Sequence, residues 1–174
     1  MLRYNVFVQF TLRDYRDDDF LALWKVDQDC FAPGIAYSKL ELKTYIRRRN
    51  AFTLVAEGPR ETEPGAIVGF LVAEAGRGGV GHIITIDVTA AARRSGVGSH
   101  LLEEAEVRLR AAGSRSVMLE TAVDNHSALT FYKRHEYSVV KTVPRYYSNG
   151  LDAFVLKKEL AESSSNLSVY NSPR

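Results

Sequence analysis

The segment Ile86-Asp87-Val88-Thr89-Ala90-Ala91-Ala92-Arg93-Arg94-Ser95-Gly96-Val97-Gly98 constrains the fold more than any other part of this chain. An apolar strand pattern ends in a short loop with two arginines and two glycines, and an amphipathic helix pattern follows at once. Glycine lets backbone approach a ligand with no Cβ in the way, and the first N–H groups of a helix lack internal partners. The positive end of the helix dipole adds its attraction, so such a turn is an oxyanion receptor. Arg93 and Arg94 set full positive charges beside it. The ligand this predicts is a pyrophosphate.

Spacing separates the known phosphate loops. A dinucleotide fingerprint needs Gly or Ala three residues after Gly98, where the chain has Leu101. A Walker loop needs Gly-Lys followed by Ser or Thr, whereas Gly98 is followed by Ser99-His100. What fits is Arg-x-x-Gly-x-Gly, read from Arg93 through Gly96 to Gly98. This resembles the acetyl-coenzyme A loop of the GNAT N-acetyltransferases. The resemblance continues through Leu119-Glu120-Thr121, the helix pattern Asn125-His126-Ser127-Ala128-Leu129-Thr130-Phe131-Tyr132, and Pro144-Arg145-Tyr146-Tyr147 with Asp152-Ala153. These last features resemble the RimI-like and eukaryotic catalytic-subunit type of protein N-terminal acetyltransferase. The likeness is detailed from Gly81 to Leu160 and looser from Leu12 to Ala75, where Cys30-Phe31-Ala32-Pro33-Gly34 resembles a substrate-side loop.

The periodicities agree with an α/β (α+β) chain in which strands and helices alternate over short connections. Val6 to Arg13 reads as a first strand, and Asp17 to Asp29 carries a helical apolar stripe. Ser38 with Glu41 predicts a capping box for a helix through Arg49. Phe52–Glu57, Ile67–Glu74, His82–Val88, Val117–Thr121, Tyr137–Val143 and Ala153–Lys158 read as strands. Val97, Leu101, Leu102, Ala105 and Leu109 give one helix a buried face, and Gly113 ends it. The resemblance implies the GNAT fold: a mixed, mostly antiparallel sheet of about seven strands flanked by about four helices. Residues 1–160 are expected to form this domain, and 161–174 a mobile tail, since seven of those fourteen residues are Ser or Asn.

Composition narrows the partners. The formal charge of +2 is too small to argue for nucleic acid. Cys30 is the single cysteine, so no internal disulfide can form, which with no signal-peptide pattern favours a cytoplasmic protein. No apolar run approaches the roughly 20 residues that span a bilayer. His82, His100, His126 and His135 lack helical i, i+4 pairing and cysteine companions, so no metal is expected. No Gly-x-Ser-x-Gly elbow points to a hydrolase.

The reaction implied by the resemblance is acetyl transfer from acetyl-CoA to an amine. The co-substrate would be held by Ile86, Asp87, Val88, Arg93, Arg94, Ser95, Gly96, Val97, Gly98, Ser99, Asn125 and Tyr132. Val88 would contribute a backbone N–H to the thioester carbonyl from a bulge near its strand end, and Tyr132 a proton to the leaving thiolate. Glu120 matches the catalytic glutamate and is the candidate base, with His82 as its competitor. Tyr146 and Tyr147 on one loop, with Phe31 and Tyr37 opposite, would wall a slot for a peptide or protein N-terminus. Two alternatives stand beside this: acetylation of a small-molecule amine, and a non-catalytic acyl-CoA-binding regulatory module. Two positions depart from the family pattern. Ala90-Ala91-Ala92 stand where a proline and an aromatic are usual, and Glu136 replaces a glycine expected in left-handed conformation.

Overall fold

Strict alternation of side chains across two buried faces determines the centre of the sheet. The computed structural model describes residues 9–58 and 65–160. β1 (Thr11–Asp14), β2 (Ala51–Glu57), β3 (Ile67–Ala75) and β4 (Val80–Val88) run antiparallel in chain order. β5 (Ser116–Ala122) lies parallel to β4, and β6 (Ser138–Val143) and β7 (Ala153–Glu159) complete the order β1-β2-β3-β4-β5-β7-β6. Leu54, Ala56, Leu71 and Ala73 join one apolar cluster, while Val55, Phe70 and Val72 join the other. That split is the period-2 alternation of a strand, with both faces dry.

α3 (Val97–Ala111) covers the first face, and Val97, Leu101, Leu102, Ala105 and Leu109 are fully buried there as their spacing predicts. α4 (His126–Arg134) adds Tyr132 to the same cluster. α1 (Phe20–Cys30) and α2 (Lys39–Ile46) cover the second face through Leu23, Val26 and Leu42. The Ser38–Glu41 capping box is present. α2 stops at Ile46 and not at Arg49, because Arg47-Arg48-Arg49-Asn50 offer no apolar side chain to bury another turn. Gly113, at φ 90°, ends α3, and Glu136 does adopt the left-handed conformation, at φ 67°. Behind α3 the buried Glu106 accepts from Tyr137 Oη at 3.0 Å and Lys158 Nζ at 2.7 Å, tying helix to β7.

The first strand begins at Thr11, and Val6 to Val8 lie outside the described residues, as does the expected tail at 161–174. Most of the Pro/Gly-containing loop between β2 and β3 lies outside them too.

Two irregularities of β4 build the site. Val72 pairs with Thr85 and Ala73 with Ile83, which leaves Ile84 as a bulge. The bulge thus falls four residues before Val88, not near the strand end. It inverts the alternation: Ile83, Ile86 and Val88 face the first cluster, Ile84 faces the second, and Thr85 and Asp87 share a hydrogen bond. The second irregularity is a fork. β4 and β5 pair only over Val80–His82 and Ser116–Met118, and beyond those residues their facing edges have no ladder.

Candidate active site

The fork exposes backbone that a sheet would otherwise satisfy. Thr89 N–H donates to Val68 O on β3, so alternation turns the N–H groups of Val88 and Ile86 toward the open side. Val88 O accepts from Arg93 Nε at 3.0 Å, and the Cys30 thiol lies 3.4 Å away, leaving the Val88 N–H directed into the fork. Asp87, one of the expected ligand contacts, directs its side chain away from the fork. The bulge turns its side chain to the second face, where it is 1% exposed and accepts from Thr85 Oγ1 at 2.9 Å.

Between strand and helix, Ala90–Ala92 form a single 3-10 turn, and Arg93 and Arg94 stand exposed. Arg94 is left-handed at φ 65° and Gly96, the residue capping α3, at φ 94°. No side chain caps that helix end, so its leading N–H groups stay open to a ligand. Gly96 is required by conformation. Gly98 is not: a Cβ there would meet Phe131 at an ordinary 3.5 Å. Nothing among the described residues calls for glycine at 98, which is what a close ligand approach would explain. Val97 is buried beneath the loop, the Ser95 hydroxyl donates to Ala92 O, and the Ser99 hydroxyl pairs with His135 Nε2 at 3.0 Å.

Asn125 caps α4, its side-chain oxygen accepting from Ala128 N–H at 3.0 Å. That leaves its amide NH₂ free of the cap. Tyr132 is buried, and its hydroxyl has no hydrogen-bond partner among the described residues. Burial, with Asp87 and Tyr147 adding, pushes that hydroxyl above the usual tyrosine range, so it holds its proton at neutral pH. A protonated, unengaged hydroxyl is a proton donor.

On the second face, His82 is the last residue of β4 paired to β5, and Glu120 lies two residues past its partner Met118. Their side chains meet, Nε2 to Oε2 at 2.7 Å. Burial alone would lower the His82 pKa, but the hydrogen bond and charge of Glu120, with Glu74 behind, leave it raised. Around this pair stand aromatics from separate segments. Tyr37 donates to Ile84 O at 3.3 Å and packs against Tyr45 at 5.1 Å between ring centroids. Tyr146 and Tyr147 meet edge to face at 5.0 Å, and both feel the charge of Glu120. Their loop touches the α1–α2 loop directly: Ser148 Oγ donates to Gly34 O at 3.1 Å, and a Cβ on Gly34 would fall 2.8 Å from Asn149 Cβ. Gly34 is therefore fixed by close approach as well as by φ 86°. Phe31 is half-buried at the end of α1, on the same loop.

The sequence pattern did not single out Tyr45, Glu74 or Asp27, nor the pairing of Asp27 with Asp87. Asp27 is fully buried, fixes the α1–α2 loop by accepting from Tyr37 N–H at 2.8 Å, and is pushed up to about 6 by burial. Asp87 is raised well above the usual carboxylate range by burial, with the charge of Asp27 adding. The available signal was an acidic residue inside an apolar run, as in Ile86-Asp87-Val88. Among the described residues no cluster of His, Cys, Asp or Glu could hold a metal ion, and no helix is long and apolar enough to cross a membrane.

Known proteins share this fold. Residues 13–137 match the profile of the Acetyltransferase (GNAT) family. The chain is similar to Ard1 from Thermoplasma volcanium, with 25% identity and a TM-score of 0.77 over 89% of this chain and all of that one. Its fold is also that of Arabidopsis thaliana NAA60, solved with acetyl-CoA, at 19% identity and a TM-score of 0.77 over 87% of this chain and 99% of that one. N-alpha-acetyltransferase 30 of Schizosaccharomyces pombe (strain 972 / ATCC 24843) is 51% identical over 37 residues, 21% of this chain and a quarter of that protein's length. An uncapped, glycine-started helix after β4, a forked pair of strands and a profile match over most of the chain lead to one conclusion: this protein belongs to the GNAT family of acetyltransferases.

Proposed function

We propose that the protein transfers the acetyl group of acetyl-CoA to the α-amine at the N-terminus of a protein or peptide. The observation that carries this reading is the contact between the Tyr146–Tyr147 loop and the α1–α2 loop at Gly34, beside the His82–Glu120 pair. Two loops that touch over a site leave a covered slot, which suits one extended chain end better than a broad metabolite. The open N-terminus of α3, Gly98 and the unpaired edge of β4 fit the pyrophosphate and pantetheine of acetyl-CoA.

Acetyl-CoA supplies an activated thioester; the chain's residues supply orientation and proton transfer. Arg93 and Arg94 flank the turn that would take the phosphates, and the Val88 N–H would donate to the thioester oxygen as negative charge grows there. His82 and Glu120, joined by one hydrogen bond, accept the proton of the attacking amine. Tyr132 donates its proton to the departing sulfur from the opposite face of the fork.

Amine chemistry favours the same substrate. An α-amine titrates near 7.7–8.0 and a lysine near 10.4, so at pH 7 roughly a tenth of α-amines are already neutral. That gap of about 2.5 pKa units makes an α-amine roughly 3–4 kcal/mol easier to deprotonate. The test is release of CoA from acetyl-CoA with three acceptors: a tetrapeptide with a free terminus, its N-blocked lysine-containing analogue, and spermidine. The free terminus is expected to react fastest. Faster turnover of spermidine than of every peptide tried overturns the reading in favour of a small amine.

A further inference from the structure

We propose that Glu74, held by Arg48, is a positioning residue that fixes the orientation and charge of His82, so that His82 and Glu120 act as one proton acceptor. Three strands bring these groups into line. Glu74 on β3 is directly opposite His82 on β4, and Glu120 lies diagonally beyond His82 on β5. His82 Nε2 is 2.7 Å from Glu120 Oε2, and its Nδ1 is 3.8 Å from Glu74 Oε1. Both ring nitrogens thus face carboxylates. A neutral ring would point one lone pair at a negative charge, whereas an imidazolium presents an N–H to each.

Glu74 is itself fixed. Its Oε1 accepts from Arg48 Nη1 at 2.8 Å, and Arg48 lies over the Tyr45 ring at 4.4 Å. Tyr45 packs on Tyr37, so the ion pair is anchored to the aromatic wall of the acceptor slot. Arg48 offsets part of the Glu74 charge and holds the rest against the ring. The tyrosines of the slot are Tyr146, whose hydroxyl burial pushes up to about 12, and Tyr37 and Tyr147, raised further by burial, with the charge of Asp124 reaching Tyr147. All three tyrosines are neutral wherever His82 titrates. Burial lowers its midpoint, Glu120 and Glu74 raise it, and Arg48 is bound to Glu74.

The consequence is a base matched to its amine. A proton acceptor works best when its pKa is near that of the proton it must take, and Glu74 moves His82 upward, toward an α-amine. This inference rests on the acetyl-transfer reading for its catalytic meaning, but not for its charge effect.

The experiment uses the full chain and two variants, Glu74→Gln and Glu74→Lys. His82 is followed by its ring C–H signal in an NMR titration, assigned by loss of that signal in His82→Gln. Removing the negative charge weakens the imidazolium, so Glu74→Gln should lower the midpoint by about half a pH unit, given the exposure of the groups and the opposing Arg48. Glu74→Lys should lower it about twice as far. The acidic limb of the pH–rate profile should move to lower pH in the same order. A merely structural role for Glu74 predicts no such gradation with charge. Midpoints unchanged in both variants overturn the proposal, whatever the kinetics. Midpoints that fall while the pH–rate profile stays fixed uphold the charge effect and instead overturn His82 as base.

Discussion

The two halves of the site are built in opposite ways. The donor half is nearly continuous in sequence: the end of β4, the Arg93–Arg94 turn, Gly96 and the first turn of α3 occupy one stretch from Ile86 to Ser99. The acceptor half is assembled from distant segments, with Tyr37 and Tyr45 from around α2, Glu74 from β3, His82 from β4, Glu120 from β5 and Tyr146–Tyr147 from the loop before β7. Backbone groups do much of the work in the first, and side chains in the second. A backbone-built receptor tolerates little change in conformation but much change in side chain. A side-chain-built slot has the reverse tolerance, so the two halves should break differently.

The largest break is expected in the donor half. Gly96→Glu forces a side chain onto a residue at φ 94°, at about 1–2 kcal/mol, and places a negative charge where phosphates would sit. Affinity for acetyl-CoA, measured by calorimetry, should fall about 100-fold or more, roughly 2.8 kcal/mol. Unchanged affinity would remove the basis for assigning the loop. Tyr132→Phe keeps the ring in its cluster and deletes only the unpartnered hydroxyl. Turnover should drop about 10²–10⁴-fold while acetyl-CoA affinity stays the same, the signature of a lost proton donor. Equal losses in turnover and affinity would make Tyr132 a packing residue.

The same contrast explains what the sequence could tell. Phosphate loops are legible because glycine spacing and a strand-to-helix switch are local, and α3 shows its buried face at the predicted positions. The capping box at Ser38 was legible for the same reason, whereas the left-handed Glu136 was read from the family pattern. Glu120, His82 and the tyrosines were reached through a family resemblance, not through spacing. Their meeting depends on register: Glu74 opposes His82 because of where the Ile84 bulge falls, and one residue of slip would send each to the other face. No local pattern around Ile84 announces that bulge. The same altered alternation buries the Asp87 side chain against the second face.

The smallest effect, and the sharpest test of the contrast, lies in the acceptor slot. Tyr147 is half-buried while Tyr146 is 47% exposed, so the two rings cannot contribute equally to a wall. Removing the more buried ring loses more contact with an acceptor chain, since the free energy follows apolar area withdrawn from water. Tyr147→Ala should raise KM for a peptide about tenfold, roughly 1.4 kcal/mol, and Tyr146→Ala by less. Neither should change acetyl-CoA affinity, because both rings lie beside Glu120 and not at the Gly96 turn. Steady-state kinetics at saturating acetyl-CoA, beside calorimetry of each variant, separates these outcomes. A fall in acetyl-CoA affinity as large as the rise in peptide KM would mean that the halves are energetically one site. An effect of Tyr146→Ala exceeding that of Tyr147→Ala would mean that the peptide lies over the outer ring, and that the slot is open where the contact at Gly34 closes it.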